Sequence, residues 1–544
     1  MMNKKYIFVV GGVMSSVGKG IATASCAKLL KARGYSTTCV KIDPYINVDA
    51  GTMNPTEHGE VFVTDDGDET DQDIGNYERF LNTNILSTNY MTTGRVYKKV
   101  IEDERNLKYK GKCVEVVPHI PMEVVRRIKI ASSSAEAEVT VIEIGGTVGE
   151  YQNVLFLEAA RMMKIESPDD VIFVMVSYLP IPKMVGEMKT KPTQSAVRTL
   201  NSSGIQPNLL LCRSERSLDE KRKEKLSVFC NLKKNAIISA PDADSIYDVV
   251  LNFEKENLDE RLIELLNLEE RASNNELEEW RNFANKVKNV KEEITIGIVG
   301  KYFKTGDYVL SDSYLSVVEA IKHASWFYNK KPIIKWLYPD EYEDSPEKLE
   351  ELKSCNGIIV PGGFGTRGIE GKIEAISYLR KNDIPFLGLC YGMQLATIEF
   401  ARNVAGISDA TTEEMDPNAK NLIIHTMKDQ INKIKNENYG GTMRLGAYPC
   451  LLNKNSKSFE SYKEENISER HRHRYEFNNN YRDLLEEKGL LIAGTSPDNN
   501  LVEIIENPKN KFFVGSQFHP ELKSRPLNPH PLFLGFIKAA IENE

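Results

Sequence analysis

Cys390 sits between two glycines in Gly388-Leu389-Cys390-Tyr391-Gly392, and His519-Pro520-Glu521 follows near the C-terminus. The G-x-C-x-G spacing allows the sharp strand-to-helix turn of a nucleophile elbow, with sulfur in place of oxygen. A helix starting behind the cysteine favours the thiolate, which is the reactive form. His519 can take the thiol proton while Glu521 orients its imidazole, since residues two apart on an extended strand project to one side. Pro361-Gly362-Gly363-Phe364-Gly365, after another apolar run, can present backbone N–H groups to a tetrahedral oxyanion. A lone cysteine is more often a core residue; the flanking glycines and the distant histidine are what set Cys390 apart.

A different chemistry stands at the other end. Gly11-Gly12-Val13-Met14-Ser15-Ser16-Val17-Gly18-Lys19-Gly20 follows an apolar run and precedes a helical pattern over 21–33. Backbone N–H groups and a helix N-terminus in that setting bind phosphate oxygens. The pattern departs from G-x-x-x-x-G-K-[ST] at Val13, where glycine is usual, and at Gly20, where the magnesium hydroxyl is usual. Carboxylates that could serve magnesium come from two places. Residues 65–73 hold six acids in nine positions, ending at Asp73, and Glu143 ends an apolar run before Gly145-Gly146-Thr147. Nucleotide-bound magnesium needs only one or two protein carboxylates, and an acid at the carboxyl end of a strand faces the ligand crevice. Lys189-Thr190-Lys191-Pro192-Thr193-Gln194 reads as a loop stiffened by proline that offers two ammonium groups to a polyphosphate, or as an exposed basic loop. Arg470-His471-Arg472-His473-Arg474 lacks interleaved aromatics in an acidic chain, so a local anion site is preferred to nucleic-acid binding, with a solvated strand as the alternative. A phosphate cradle joined to a thiol nucleophile implies an enzyme that activates a substrate with a nucleoside triphosphate while a second domain liberates a small nucleophile.

The elements that must position these groups are legible as alternation. Short β-branched runs at 6–10, 37–42, 139–144, 171–177, 208–212 and 236–239 alternate with helical patterns, the signature of a parallel sheet covered on both faces. From 267 to 293 apolar strands vanish and Glu, Asn and Lys dominate, with Trp280 and Phe283 as a sparse apolar face. A second α/β pattern restarts at 294–300 and continues at 333–337, 357–360, 384–389, 501–505 and 512–518. The expected organisation is therefore a P-loop-type α/β domain over 1–266, a helical linker over 267–293 and a second α/β domain over 294–544. At 544 residues two cores are expected. The formal net charge of −8 gives no sign of a nucleic-acid partner, and no apolar stretch nears the roughly 20 residues of a membrane span. Eight scattered cysteines without a C-x-x-C pair read as reduced thiols in a cytoplasmic setting.

Taken in order, these segments resemble the CTP synthase family over nearly the whole chain. Beside the glycine-rich loop, the resemblance is carried by Lys41-Ile42-Asp43-Pro44-Tyr45-Ile46-Asn47-Val48-Asp49, His58-Gly59-Glu60-Val61-Phe62-Val63, Glu143-Ile144-Gly145-Gly146-Thr147-Val148-Gly149, residues 189–194 and Gly441-Thr442-Met443-Arg444-Leu445-Gly446. The last third resembles a class I glutamine amidotransferase domain. The resemblance implies that ATP phosphorylates the 4-oxygen of UTP and that ammonia released from glutamine then displaces phosphate to give CTP.

Carried over residue by residue, it implies ATP at Ser16, Val17, Gly18, Lys19, Gly20, Asp73 and Ala243, with Mg2+ on Asp73 and Glu143. It implies UTP, or CTP as feedback inhibitor, at Ser15, Thr147, Val148, Gly149, Glu150, Lys189, Thr190, Lys191, Pro192, Thr193, Gln194 and Lys225. Glutamine would meet Gly363, Tyr391, Gly392, Met393, Gln394, Glu414 and Arg474, with Cys390, His519 and Glu521 catalytic. His58 and Val61 resemble the gate of an enclosed ammonia passage. GTP activation, a homotetramer and, in some members, filaments are implied as well. Two departures bear on regulation: Glu150 replaces the aspartate of many relatives, and residues 432–439 are shorter and less charged than in some. A rival reading is another P-loop amidotransferase, such as one amidating a cobalamin precursor; a non-enzymatic one is a nucleotide-responsive assembly protein.

Overall fold

The computed structural model describes residues 4–301, 304–305, 308–309, 311–365, 367–431 and 440–543. By contact density the chain forms two compact units, one of residues 1–50 and 73–284, the other of residues 51–72 and 285–544.

The first unit is built on a seven-stranded sheet: β1 (Lys5–Gly12), β2 (Thr37–Asp43), β3 (Tyr90–Thr92), β4 (Val139–Ile144), β5 (Val171–Tyr178), β6 (Leu209–Ser214) and β7 (Ile237–Pro241). Their order is β3-β2-β4-β1-β5-β6-β7 and every pairing is parallel. The six apolar runs form these strands because each is buried on both faces, as helices covering both sides of a parallel sheet require. The edge strand β3 escaped the sequence reading because three residues give no periodicity. Helices α1 (Lys19–Ala32) and α2 (Gln72–Leu81) belong here, as does α3 (Lys191–Ser202). The sparse apolar face of the polar stretch is a helix over Glu276–Asn289, where Trp280 is fully buried against Phe80 and Tyr247.

The second unit holds a nine-stranded mixed sheet. Its strands are β8 (Glu293–Val299), β9 (Lys331–Leu337), β10 (Gly357–Val360), β11 (Phe386–Leu389), β12 (Arg444–Leu452), β13 (Asn466–His473), β14 (Leu491–Thr495), β15 (Val502–Glu506) and β16 (Phe513–Ser516). They run in the order β9-β8-β10-β11-β16-β15-β14-β12-β13. The first five are parallel and the remaining pairings antiparallel. Strands β12 and β14 were not read from the sequence, and of β13 only the stretch 470–474 was open to reading as a solvated strand, because its run of charged residues hides the alternation. Helix α4 (Tyr391–Asn403) follows β11 directly. A short hairpin, Val61–Val63 paired with Glu69–Asp71, also packs in this unit. Among the described residues no helix is long and apolar enough to cross a membrane.

Candidate active site

Cys390 stands at the junction of β11 and α4 with φ 51° and ψ −98°, a left-handed conformation rare for a side chain that carries a Cβ. The flanking glycines make the turn possible. A Cβ on Gly392 would lie 2.0 Å from the Val360 carbonyl oxygen, and one on Gly388 would lie 2.8 Å from the backbone of Gly392. The turn is anchored where the Cys390 N–H donates to the Ser516 carbonyl at 2.6 Å. The thiol lies 3.8 Å from the Arg472 carbonyl oxygen, and the Gln517 amide donates to sulfur at 3.6 Å.

His519 meets it from the loop after β16. Its Nδ1 lies 2.7 Å from Glu521 Oε1, and the half-buried imidazole stands beside the thiol. Burial opposes charging the ring, but the carboxylate of Glu521 and the neighbouring Cys390 outweigh it and push His519 well above the ordinary histidine range. The local backbone differs from the expected extended strand. β16 ends at Ser516, His519 caps a 3-10 turn over Pro520–Lys523, and it is this turn that brings Glu521 back to the ring. Burial pushes the other core thiols up, Cys26 to about 12 and Cys230 to about 11, which keeps them protonated and inert.

Cys390, His519 and Glu521 share a cavity of about 580 Å³ with Gly363 and Arg474. Glu414 accepts the Gly365 N–H at 2.7 Å and so props the glycine loop. Tyr391, Gly392, Met393 and Gln394 are buried in the first turn of α4 and do not line the cavity. Met393 packs against Gly515, Gln394 donates to Gln517 and to the Tyr475 carbonyl, and the Lys301 and Lys372 ammonium groups lie 5.4 and 5.7 Å from the centre of the Tyr391 ring. Val61 lines the same cavity; His58 faces Asp71 at 3.6 Å.

The basic run resolves by strand alternation. Arg470 and Arg472 point one way and pair with Asp65 and with Glu69 (2.8 Å); His471 and His473 point the other way and contact each other at 3.1 Å. Arg470 is completely buried, so the run is no nucleic-acid patch: its acidic partners come from this chain. Four of the six acids in the 65–73 run are thereby accounted for by neighbours, Asp65 and Glu69 by arginines, Asp71 by His58 and Asp66 by the Thr64 hydroxyl.

In the first unit the glycine-rich loop turns through positive φ at Val13, Ser16 and Gly18, and Gly18 caps α1 in the left-handed region. Lys19 is buried; desolvation lowers its pKa against the pull of Glu143 and Asp73. Gly20 has a specific reason to lack a side chain: a Cβ there would lie 2.0 Å from Asp73 Oδ1. The space beside Gly20 is taken by the Asp73 carboxylate at the start of α2. Asp73 and Glu143 both bind the Lys41 ammonium, Glu143 at 3.0 Å, and Tyr77 donates to the other oxygen of Glu143. Burial, with Asp73 and Glu143 nearby and Lys41 opposing, raises Asp43 to about 6. Lys41, Asp43 and Tyr77 were not singled out as site residues; the signal was a lysine and an aspartate inside the otherwise apolar strand β2.

Gly18 and Ala243 line a cavity of about 120 Å³ with Arg213 and Phe253, while Ser15 and Ser16 are exposed and Val17 is buried. Residues 191–194 are not loop but the first turn of α3, where Pro192 costs no helical hydrogen bond. Thr193 is tied to the Ser177 hydroxyl and Gln194 to Thr190, whereas Lys189 pairs with Glu187. Lys225 is exposed on the helix Glu220–Cys230. Thr147, Val148 and Gly149 form a turn closed by Glu150, whose carboxylate accepts the Thr147 N–H at 3.0 Å.

A family model described as "CTP synthase N-terminus" matches residues 5–268, and one described as "Glutamine amidotransferase class-I" matches residues 309–539. A CTP synthase of Carboxydothermus hydrogenoformans is 50% identical over 539 residues, 99% of both chains. One of Bacillus subtilis is 48% identical over 540 residues, again 99% of both, and one of Methanocaldococcus jannaschii is 48% identical over 543 residues, 99% of this chain and 98% of that one. Among solved structures, the glutaminase domain of Trypanosoma brucei CTPS with bound acivicin is 37% identical, with a TM-score of 0.43, over 46% of this chain and 95% of that one.

Proposed function

The chain belongs to the CTP synthase family, and from that premise we propose how its residues divide the work of making CTP. It is a ligase that takes its nitrogen from glutamine. In the second unit Cys390 attacks the glutamine side-chain carbonyl to form a glutamyl thioester and release ammonia. His519 carries the proton from the thiol to the departing nitrogen, Glu521 fixes its tautomer, and backbone donors of the 361–365 loop take the oxyanion. Arg474, on the cavity wall, suits the substrate carboxylate. The observation that carries the reading is Cys390 held at φ 51° in one cavity with the His519–Glu521 pair, Gly363 and Arg474.

In the first unit the loop 15–20 holds the ATP phosphates and Lys19 neutralises them, with the base near Ala243. The UTP oxygen becomes a leaving group only when phosphorylated, and that step needs positioning and charge neutralisation more than covalent help. Asp73 and Glu143 fit Mg2+: both are hard oxygen donors, and both already converge on one cation, the Lys41 ammonium. Bound there, the ion would supply charge neutralisation for the transferring phosphate. Ser15, the turn 147–150, residues 189–194 and Lys225 meet the pyrimidine nucleotide, and CTP competes there as feedback inhibitor. A homotetramer working in the cytoplasm, filaments and GTP activation complete the proposal; the 432–439 segment that bears on GTP lies outside the described residues. The test is CTP formation from UTP, ATP and magnesium, with glutamine plus GTP in one tube and an ammonium salt in another. CTP in both supports the division; none in either, from folded protein, refutes it.

A further inference from the structure

Residues 51–72 lie inside the span matched by the CTP synthase N-terminus model, yet they pack in the unit that carries Cys390. Their hairpin presents two acids to strand β13. Glu69, 2% exposed, accepts from Arg472 Nε at 2.8 Å, and Arg472 Nη2 reaches the Gly51 carbonyl at 3.3 Å. Gly51 is glycine for this contact, since a Cβ there would lie 2.1 Å from Glu69 Oε2. The guanidinium also covers the Phe364 ring, 5.2 Å from its centre, beside the glycine loop. Asp65 pairs with the buried Arg470 in the same way, and its carbonyl accepts the Ala447 N–H at 2.8 Å.

The main chain of the same two arginines supports the thiol site. The Arg472 carbonyl oxygen lies 3.8 Å from the Cys390 sulfur, and the Arg470 carbonyl accepts the His519 N–H at 2.8 Å. The nucleophile and its base therefore lean on one strand at positions whose side chains are gripped by the hairpin. We propose that Glu69 is a positioning residue of the thiol site: it fixes Arg472, and through the Arg472 carbonyl it fixes the Cys390 sulfur, with Asp65 doing the same for His519 through Arg470. A residue from the synthetase-matched span thus belongs to the glutamine half of the reaction. The physical reason is that a nucleophile displaced by a fraction of an ångström loses rate without losing substrate affinity.

The inference rests on reading Cys390 as the glutaminase nucleophile, so full-length Cys390→Ala is measured alongside. Glutamate release from glutamine, with ATP, UTP and magnesium present, is followed for Glu69→Gln, Glu69→Asp, Arg472→Gln and the double variant Glu69→Gln/Arg472→Gln. Removing one partner of a charged, buried hydrogen bond predicts a loss of about tenfold or more in kcat for Glu69→Gln, with KM for glutamine held within about twofold. Glu69→Asp recovers part of the loss, and the double variant is no worse than the poorer single, because both remove one contact. CTP synthesis from ammonium stays at the level of the unaltered enzyme. An unchanged kcat, a loss confined to KM, multiplicative losses in the double variant, or an equal fall in ammonium-dependent synthesis each overturns the proposal. Should Glu69→Gln not fold, Asp65→Asn carries the same expectation at about threefold, and an unchanged kcat there overturns it equally. Glutamine hydrolysis surviving in Cys390→Ala would refute the underlying reading instead.

Discussion

The glycine-rich loop 11–20 and the elbow 388–392 are both strand–turn–helix junctions bracketed by glycines, yet they use glycine for opposite ends. At the elbow the glycines yield space so that a residue with a side chain can occupy φ 51°: Gly392 makes way for the Val360 carbonyl and Gly388 for the backbone of Gly392 itself. In the loop, glycine yields space to a distant residue, Asp73, which fills the place left by Gly20. The elbow is a local device that needs one histidine from afar. The loop is a contribution to a charge cluster whose other members, Lys41, Asp73 and Glu143, arrive from three elements.

That difference can be broken at either end. Lys19→Ala should cost most, about a thousandfold in CTP formation from glutamine and from ammonium alike, since phosphate charge then goes unneutralised; steady-state CTP assays with each nitrogen source check it. Glu521→Gln should reduce glutamine hydrolysis about a hundredfold by releasing the His519 tautomer. The same change sharpens a pH argument. Glu521 helps hold His519 above its ordinary pKa, so the imidazolium persists as pH rises until that elevated value is passed. Without the carboxylate the alkaline limb of the glutaminase profile moves to lower pH, and a limb that stays in place contradicts the assigned orienter. Gly20→Ala places a methyl against Asp73 and should cost about tenfold in both nitrogen routes while raising the magnesium requirement, read from a magnesium titration of CTP formation. Smallest is Gly392→Ala, a steric clash worth about 1–3 kcal/mol of stability, seen as a lowered denaturation midpoint for the second unit with the first unit's transition unmoved.

How much of this was legible follows the same line. The parallel strands were readable because strands buried on both faces are continuous apolar runs, and the elbow because its two glycines flank Cys390 within one five-residue stretch. The 191–194 stretch misled because Pro192 reads as a loop stiffener, although it is equally at home in the first turn of a helix. Strands β12 and β13 are masked by their arginines: Arg444 and Arg470 are buried, and Arg472 is half-buried, against Glu503, Asp65 and Glu69. The acidic run 65–73 looked like one feature and is two, an acid hairpin packed in the second unit and a final aspartate packed in the first, paired with Lys41. Gln517, within reach of the Cys390 sulfur, carried no signal beyond its nearness to His519.

The separation of a thiol site from a phosphate site is tested most directly by Cys390→Ala, assayed for CTP formation with glutamine and, in parallel, with an ammonium salt. The account predicts that glutamine-dependent synthesis disappears while ammonium-dependent synthesis continues at the rate of the unaltered enzyme. Loss of both, in protein shown to be folded, or survival of the glutamine route, would contradict it.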